Sequence, residues 1–447
     1  MTQAPVVAPI SSPPAGETAR GPWPRTARAG GAGVVSVGGV ALRQIAAEYG
    51  TPAYVLDEQD VRQECRAYLA AFPGGEVAYA GKAFLCRSMA RWVDEEGLSL
   101  DVCSAGELSV AASVGFPPEK LILHGNAKTP DDMHAALEYR AGRIVIDSLS
   151  EISRLAAQVP QCQRVLLRVT PGVDAHTHAA LTTGIDNQKF GISMADGAAA
   201  DAVRRIVAQP CLDLVGLHCH IGSQITVPDG HELAARRLIG LMAAIRDEHG
   251  ITLGQLNLGG GLGVAYTDGD PELDLPAFAC RLRAAVDREC AALRLPVPRI
   301  TVEPGRAIVA RAGVTLYRVI SVKHRPDGHV FVAVDGGMSD NPRPALYGAS
   351  YTVRMVGRPA GSASRPATVA GRHCEAGDIL ARDVPLPADV RPGDLLVMAC
   401  TGAYHHSMAA NYNMVGRPPV IAVRDGHARV LVRRETDADL RRRDVGM

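Results

Sequence analysis

The chain has 447 residues, more than one ordinary domain, and 47% of them are hydrophobic, enough for large cores. Lys+Arg and Asp+Glu are both 47, so the formal net charge is zero. That balance, with no basic block, excludes a nucleic-acid-binding arm, and no apolar run is long enough to cross a membrane.

Residues 1–25 are rich in Pro, Ala, Gly and Ser and read as a disordered tail without the basic start and apolar centre of a signal peptide. Ten cysteines show no CxxC pair or regular spacing, which points to reduced thiols in a cytoplasmic protein. Val34–Val40 reads as a strand. Between residues 50 and 310, short apolar runs alternate with Ala/Leu/Arg-rich helical stretches. The runs are Val77–Ala80, Leu98–Val102, Leu121–His124, Arg143–Asp147, Val165–Val169, Leu214–His218, Leu256–Leu258 and Ile300–Val302. Eight βα units predict an α/β fold, a (β/α)8 TIM-type barrel, with a doubly wound open sheet as the competing architecture. The longer connection Pro171–Ser193 is expected to be a loop at the active-site face. After Arg306 the runs Val314–Val322, His329–Asp335, Asp394–Ala399, Val420–Arg424 and Arg429–Arg433 follow one another with little helix between them. They predict a second, mostly antiparallel β domain (a β-barrel or sandwich) made of residues 26–49 and 311–447, with Val34–Val40 paired into it.

In such a barrel the chemistry lies at the C-terminal ends of the strands. Here those ends carry Gly81-Lys82, Asp101 with Cys103 and Ser104, His124 with Asn126, Asp147, Arg168, His218 to Ser223, Gly259 to Gly261, and Glu303 to Arg306. Each has a plain reading. A strand-end Asp can cap a helix, and glycine after a strand can simply turn the chain. A lysine beyond a buried strand usually snorkels to water. His218 and His220, two apart on a continuing strand, would share a face and could bind zinc, although barrel hydrolases place that pair on the first strand. Taken together the groups converge on one mouth. Three consecutive glycines form a nest for an anion near a helix N-terminus, with Ser223 and Arg306 as further donors. A partly desolvated Lys82 suits Schiff-base chemistry, and Glu303 can keep a pyridinium nitrogen protonated. Lysine, glycine nest, flat histidine and carboxylate fit pyridoxal 5'-phosphate, with no metal.

The motifs YAGKAF, HCHIGSQI, LGGGLG, EPGRAIV, DNPRPALYGA, HCEAGD and TGAYHHSMAANYN resemble the decarboxylase branch of the pyridoxal-phosphate enzymes built on an alanine-racemase-like barrel. Within it they are most similar to the family acting on meso-diaminopimelate. The resemblance runs from Val34 to Arg434. It implies that Lys82 carries the cofactor and His220 stacks on its ring. Ser223, Gly260, Gly261 and Arg306 would contact the phosphate, and Glu303 the pyridine nitrogen. Arg306, Arg343 and Tyr347 would bind the distal carboxylate of the substrate, Glu375 its distal ammonium, and Tyr404 both cofactor and substrate. Cys374 would be the proton donor, reaching with Glu375 into the other subunit's site, which implies a homodimer. Ala376 and Ala410 stand where the family often has Ser, and TTGIDNQK at Thr182–Lys189 is unusual.

The implied reaction is decarboxylation of meso-2,6-diaminopimelate to L-lysine, the last step of lysine biosynthesis. Without the CEAGD context Cys374 reads as a small buried hydrophobe, and Arg343 as an ordinary surface arginine. The alternatives are a related decarboxylase acting on another diamino or acylated amino acid, an amino-acid racemase, a non-catalytic pyridoxal-phosphate carrier, or a metal-dependent hydrolase.

Overall fold

The computed structural model describes residues 17–18, 21–30, 33–173, 189–357 and 363–446. The chain divides into two compact units. One comprises residues 64–264 and 271–308, the other residues 1–63, 265–270 and 309–447.

The first unit is a closed parallel barrel. Its strands are β1 Glu76–Ala80, β2 Ser99–Val102, β3 Leu121–Leu123, β4 Arg143–Ile146, β5 Gln163–Thr170, β6 Leu212–His218, β7 Gln255–Asn257 and β8 Arg299–Val302. Each pairs in parallel with the next, and β8 pairs with β1 to close the ring. All eight expected strands are present, and the open-sheet alternative is excluded by that closing pair. Ala78, Ile122, Val145 and Leu166 form one buried cluster with Val215 packed against it. Side chains from β1, β3, β4 and β5 meet this way only across a barrel interior. Helices follow the strands. Some are capped by the residue after the strand or the intervening turn, as where the Thr129 hydroxyl and Asp132 carboxylate box the start of Pro130–Glu138.

The floor of the barrel is closed by a buried ion pair at the strand starts. The Arg143 guanidinium donates to both Glu76 carboxylate oxygens at 2.5 and 2.6 Å and to Oε1 of Gln255 at 3.0 Å. Ser99 donates to Glu76 Oε1 at 2.5 Å. Burial alone would raise the Glu76 carboxyl, but Arg143 outweighs it and holds the group below its ordinary value.

The second unit is built on a sheet ordered 379–387, 364–370, 330–334, 313–324, 53–57, 420–424 and 427–432, with 395–398 joining 313–324 to 353–356. Among the described residues two of its pairings are parallel, 330–334 with 364–370 and 420–424 with 53–57, and the others are antiparallel. Three expectations change here. Strand Ala53–Asp57 pairs with 313–324 and 420–424, so it lies in this sheet and not in the barrel, where a boundary at 50 puts it. Val34–Val40 does not join the large sheet. Gly33–Val37 and Val40–Ala41 form a hairpin in a separate sheet with 28–30 and 17–18, turned by Gly38 and Gly39, both at positive φ. The disorder expected over residues 1–25 does not hold for 17–18 and 21–25. Glu17–Thr18 pairs with Arg28–Ala29, Trp23 is buried with Arg354 over its ring, and Arg25 pairs with Asp60. Trp23 has too much apolar surface to leave in water. The rest of that tail, and residues 174–188 of the expected active-site loop, lie outside the described residues.

Candidate active site

The rim of the barrel gathers the strand-end groups. β1 ends in the single turn Gly81–Ala83, which buries Gly81 and Ala83 and leaves Lys82 exposed. A Cβ on Gly81 would crowd the Asp101 carbonyl at 3.0 Å. The Lys82 ammonium acts electrostatically on Asp101 and His220.

Glu303 follows β8 directly. Its Oε1 accepts from Asn257 at 2.6 Å, its Oε2 lies 3.2 Å from Nε2 of His218, and His124 Nε2 stands 2.9 Å from Oε1. Burial alone would raise the carboxyl, yet the two imidazoles outweigh it and hold Glu303 well below the usual range. Glu303 is therefore a buried carboxylate that stays charged. Burial pushes His218 down to about 4, against the pull of Glu303, and pushes Asp101 up to about 6, against that of His124. Nδ1 of His218 is buried without a hydrogen-bond partner. Such an atom at a strand-end rim marks a place prepared for a ligand.

The glycine loop lies beside this cluster. Gly259 N–H donates to Oδ1 of Asn257 at 2.9 Å, and Gly260 N–H to Nδ1 of His220 at 3.2 Å. Burial, reinforced by Lys82 and Arg168, drives His220 well below its ordinary value. A Cβ on Gly260 would sit 2.1 Å from the Glu303 carbonyl oxygen, and one on Gly261, at φ +92°, 2.1 Å from that of Gly222. The backbone is packed so closely that only glycine fits. The loop is tied to the one after β6. Ile225 N–H donates to Gly261, Gly263 N–H to Ile225, and Gln224, at φ +63°, exchanges two hydrogen bonds with Val264. No helix begins at the glycines, contrary to expectation; the next one starts at Leu275. Arg306 donates to the Ser223 hydroxyl at 2.9 Å, which sets the two expected phosphate donors side by side.

His218 and His220 do not share a face as a metal pair. β6 ends at His218, and the two rings take different partners. Among the described residues the donor set close enough for an ion is His124, His218 and Glu303, whose atoms lie within 4.8 Å of one another. Arg168 lies over the Phe190 ring at 4.5 Å, and Asp147 accepts from Gly191 N–H.

The other expected residues belong to the β-rich unit. Arg343 opens the helix Arg343–Tyr347, is 5% exposed, donates to the Tyr351 hydroxyl at 2.6 Å and lies 4.9 Å from the Tyr266 ring centroid. It is not a surface arginine. Tyr347 is half-buried at the end of the same helix. Cys374 and Glu375 are exposed on a turn pinned by Asp378, whose carboxylate accepts from Met338 N–H at 2.6 Å and His373 N–H at 2.7 Å. Cys374 is thus no buried hydrophobe. His373 is fixed on Ser339 and Asn413, and Asn413 also accepts from Cys374 N–H. Tyr404 holds φ +62°, unusual for a residue with a side chain. Asn257, Tyr266 and Tyr351 were not apparent from sequence. Only Asn257 carried a signal, as the polar residue just before the glycines.

Residues 58–310 match the family described as pyridoxal-dependent decarboxylase, pyridoxal binding domain. Diaminopimelate decarboxylase from Actinosynnema pretiosum subsp. auranticum is 59% identical over 98% of each chain. The enzyme of that name from Mycobacterium tuberculosis strain H37Rv is 50% identical over 94% of this chain and 96% of its own. A crystal structure of diaminopimelate decarboxylase from M. jannaschii in complex with L-lysine superimposes with a TM-score of 0.85 at 31% identity, covering 92% of this chain and 95% of that one.

Proposed function

The chain belongs to the diaminopimelate decarboxylases, within the pyridoxal-dependent decarboxylases, and from that membership we propose how its residues release CO2 from meso-diaminopimelate to leave L-lysine. The observation that carries the reading is the rim of the barrel. A charged buried carboxylate, a glycine-only cradle and an Arg306–Ser223 pair occupy the strand ends beside Lys82, and these groups fit pyridoxal phosphate.

Lys82 holds the cofactor by its ε-nitrogen, and Ser223, Gly260, Gly261 and Arg306 hold its phosphate. His220 would face the ring, and Glu303 would keep the proton on the ring nitrogen. When bound, pyridoxal phosphate supplies the sink for the electron pair left on the α-carbon as CO2 departs. Cys374 Sγ returns a proton to that carbon. An ordinary thiol is protonated at neutral pH and can act as an acid. Arg343, with Arg306 and Tyr347, binds the distal carboxylate, Glu375 binds the distal ammonium, and Tyr404 touches both cofactor and substrate. Support for Arg343 comes from its burial and its two tyrosine contacts, which fix the guanidinium before substrate arrives. Reduction of the holoenzyme with borohydride should bleach a yellow chromophore and leave the label on Lys82. A colourless protein whose activity is lost to a chelator would favour the His124–His218–Glu303 metal reading instead.

The working unit in this proposal is a homodimer in the cytoplasm. Cys374 and Glu375 point outward on a rigid turn, near Tyr412 and Met414, which are 42% and 61% exposed. Exposed catalytic groups with apolar neighbours suit a subunit interface. None of the ten cysteines is in a disulfide, as in a reducing compartment. No described helix is long and apolar enough to cross a membrane. Inactive Lys82→Ala and Cys374→Ala proteins, mixed and allowed to exchange subunits, should regain about a quarter of wild-type turnover, because half the dimers then hold one intact site. No recovery after demonstrated exchange would place Cys374 in its own subunit's site.

A further inference from the structure

Gly260 is held at both of its backbone polar groups by histidines. Its N–H donates to Nδ1 of His220, and its carbonyl lies 3.2 Å from Nε2 of His231. His231 stands in the first turn of the helix Asp229–His249, is 2% exposed, and packs edge-on against Phe278 with ring centroids 5.3 Å apart. A carbonyl only accepts, so Nε2 carries the proton, and Nδ1 is buried without a partner. Burial pushes the imidazole down to about 4, so at neutral pH this ring has one N–H, and it is the one aimed at Gly260.

The peptide linking Gly260 to Gly261 is planar and trans, so its C=O and N–H point in opposite directions. Anchoring the carbonyl on His231 therefore turns the Gly261 N–H away from the helix. Glycines have no side chains to fix such a peptide, and this one cannot gain any, because a Cβ on either residue would strike a carbonyl oxygen at 2.1 Å.

We propose that His231 is a positioning residue for phosphate recognition: by donating to the Gly260 carbonyl it locks the 260–261 peptide with the Gly261 N–H presented to the cofactor phosphate. The inference rests on reading the glycine loop as the phosphate cradle. Through the Gly260 N–H, the same lock steadies His220.

The test titrates cofactor-free protein with pyridoxal phosphate and with pyridoxal, which lacks the phosphate. The variants are His231→Asn, whose amide falls short of the Nε2 position, and His231→Gln, whose amide reaches it. His231→Asn should weaken pyridoxal phosphate by on the order of tenfold while leaving pyridoxal within about twofold, and His231→Gln should recover most of the loss. Unchanged pyridoxal phosphate affinity in His231→Asn, or equal losses for both compounds, would overturn the proposal, the second pointing to a merely structural role. A wild-type protein that binds the two compounds equally would instead remove the phosphate cradle itself, and this inference with it.

Discussion

The floor and the rim of the barrel each bury a glutamate at the end of the strand ring. At the floor, Glu76 is met by Arg143 and Ser99, and none of these side chains leaves a buried polar atom unpartnered. At the rim, Glu303 is met by Asn257, His218 and His124, yet Nδ1 of His218 beside it is buried without a hydrogen-bond partner, as is Nδ1 of His231 against the glycine loop. A satisfied network stabilises the ring of strands, whereas orphaned groups cost stability and persist where a ligand supplies what they lack. One end of the barrel holds the fold together and the other is kept ready for chemistry.

This contrast predicts a double dissociation. Glu303→Gln should lower turnover by on the order of 10²- to 10³-fold with little change in the unfolding midpoint of the cofactor-free protein. Arg143→Met removes the buried partner of Glu76 and leaves it Ser99, Thr301 and the more exposed Arg299, so it should cost about 3–5 kcal/mol of stability and leave turnover per folded molecule near wild type. Denaturant unfolding and steady-state kinetics on both variants check this. If Glu303→Gln destabilised as much as Arg143→Met, the two ends would not differ as described.

A smaller effect separates the ends by pH. His218 and His231 lie at about 4 in the fold and near 6.5 in an unfolded chain. Between those values the unfolded chain binds more protons, so the stability these residues contribute is complete above about pH 6.5 and drains away as pH falls towards 4. Glu76, held low by Arg143, keeps its contribution until pH drops below the ordinary carboxylate value. Asp101, at about 6, acts in the opposite sense to the histidines, so a single-residue comparison is needed. His231→Gln should lose less stability than wild type between pH 7 and pH 5, by on the order of 1 kcal/mol. Equal losses would mean His231 is not buried neutral.

The barrel was legible because its eight strands are apolar runs buried on both faces, each closed by a polar or glycine turn. Ala53–Asp57 misled for the same reason. It leads straight into the helix Glu58–Ala71, as a βα unit would, and only its pairing with 313–324 assigns it to the other sheet. Strands 364–370 and 379–387 went unread. Pro366, Pro385 and Pro387 interrupt them, register shifts occur between them, and Asp383 turns through φ +52°, so no clean alternation survives in sequence. At the site, the motif residues stood out by type and position. His231 and Tyr266 did not, because each acts on a residue far away in the chain, and Tyr351 did not, because it meets Arg343 from beyond the end of the helix that Arg343 opens; local spacing records neither relation.

The central claim, that this barrel decarboxylates a substrate with a distal carboxylate, is tested most directly by CO2 release from the purified holoenzyme with meso-diaminopimelate, lysine, ornithine and arginine. A buried Arg343 left unpaired by the last three should give a preference of about 10⁴-fold for diaminopimelate. Ornithine or lysine turned over as fast as diaminopimelate would contradict the account.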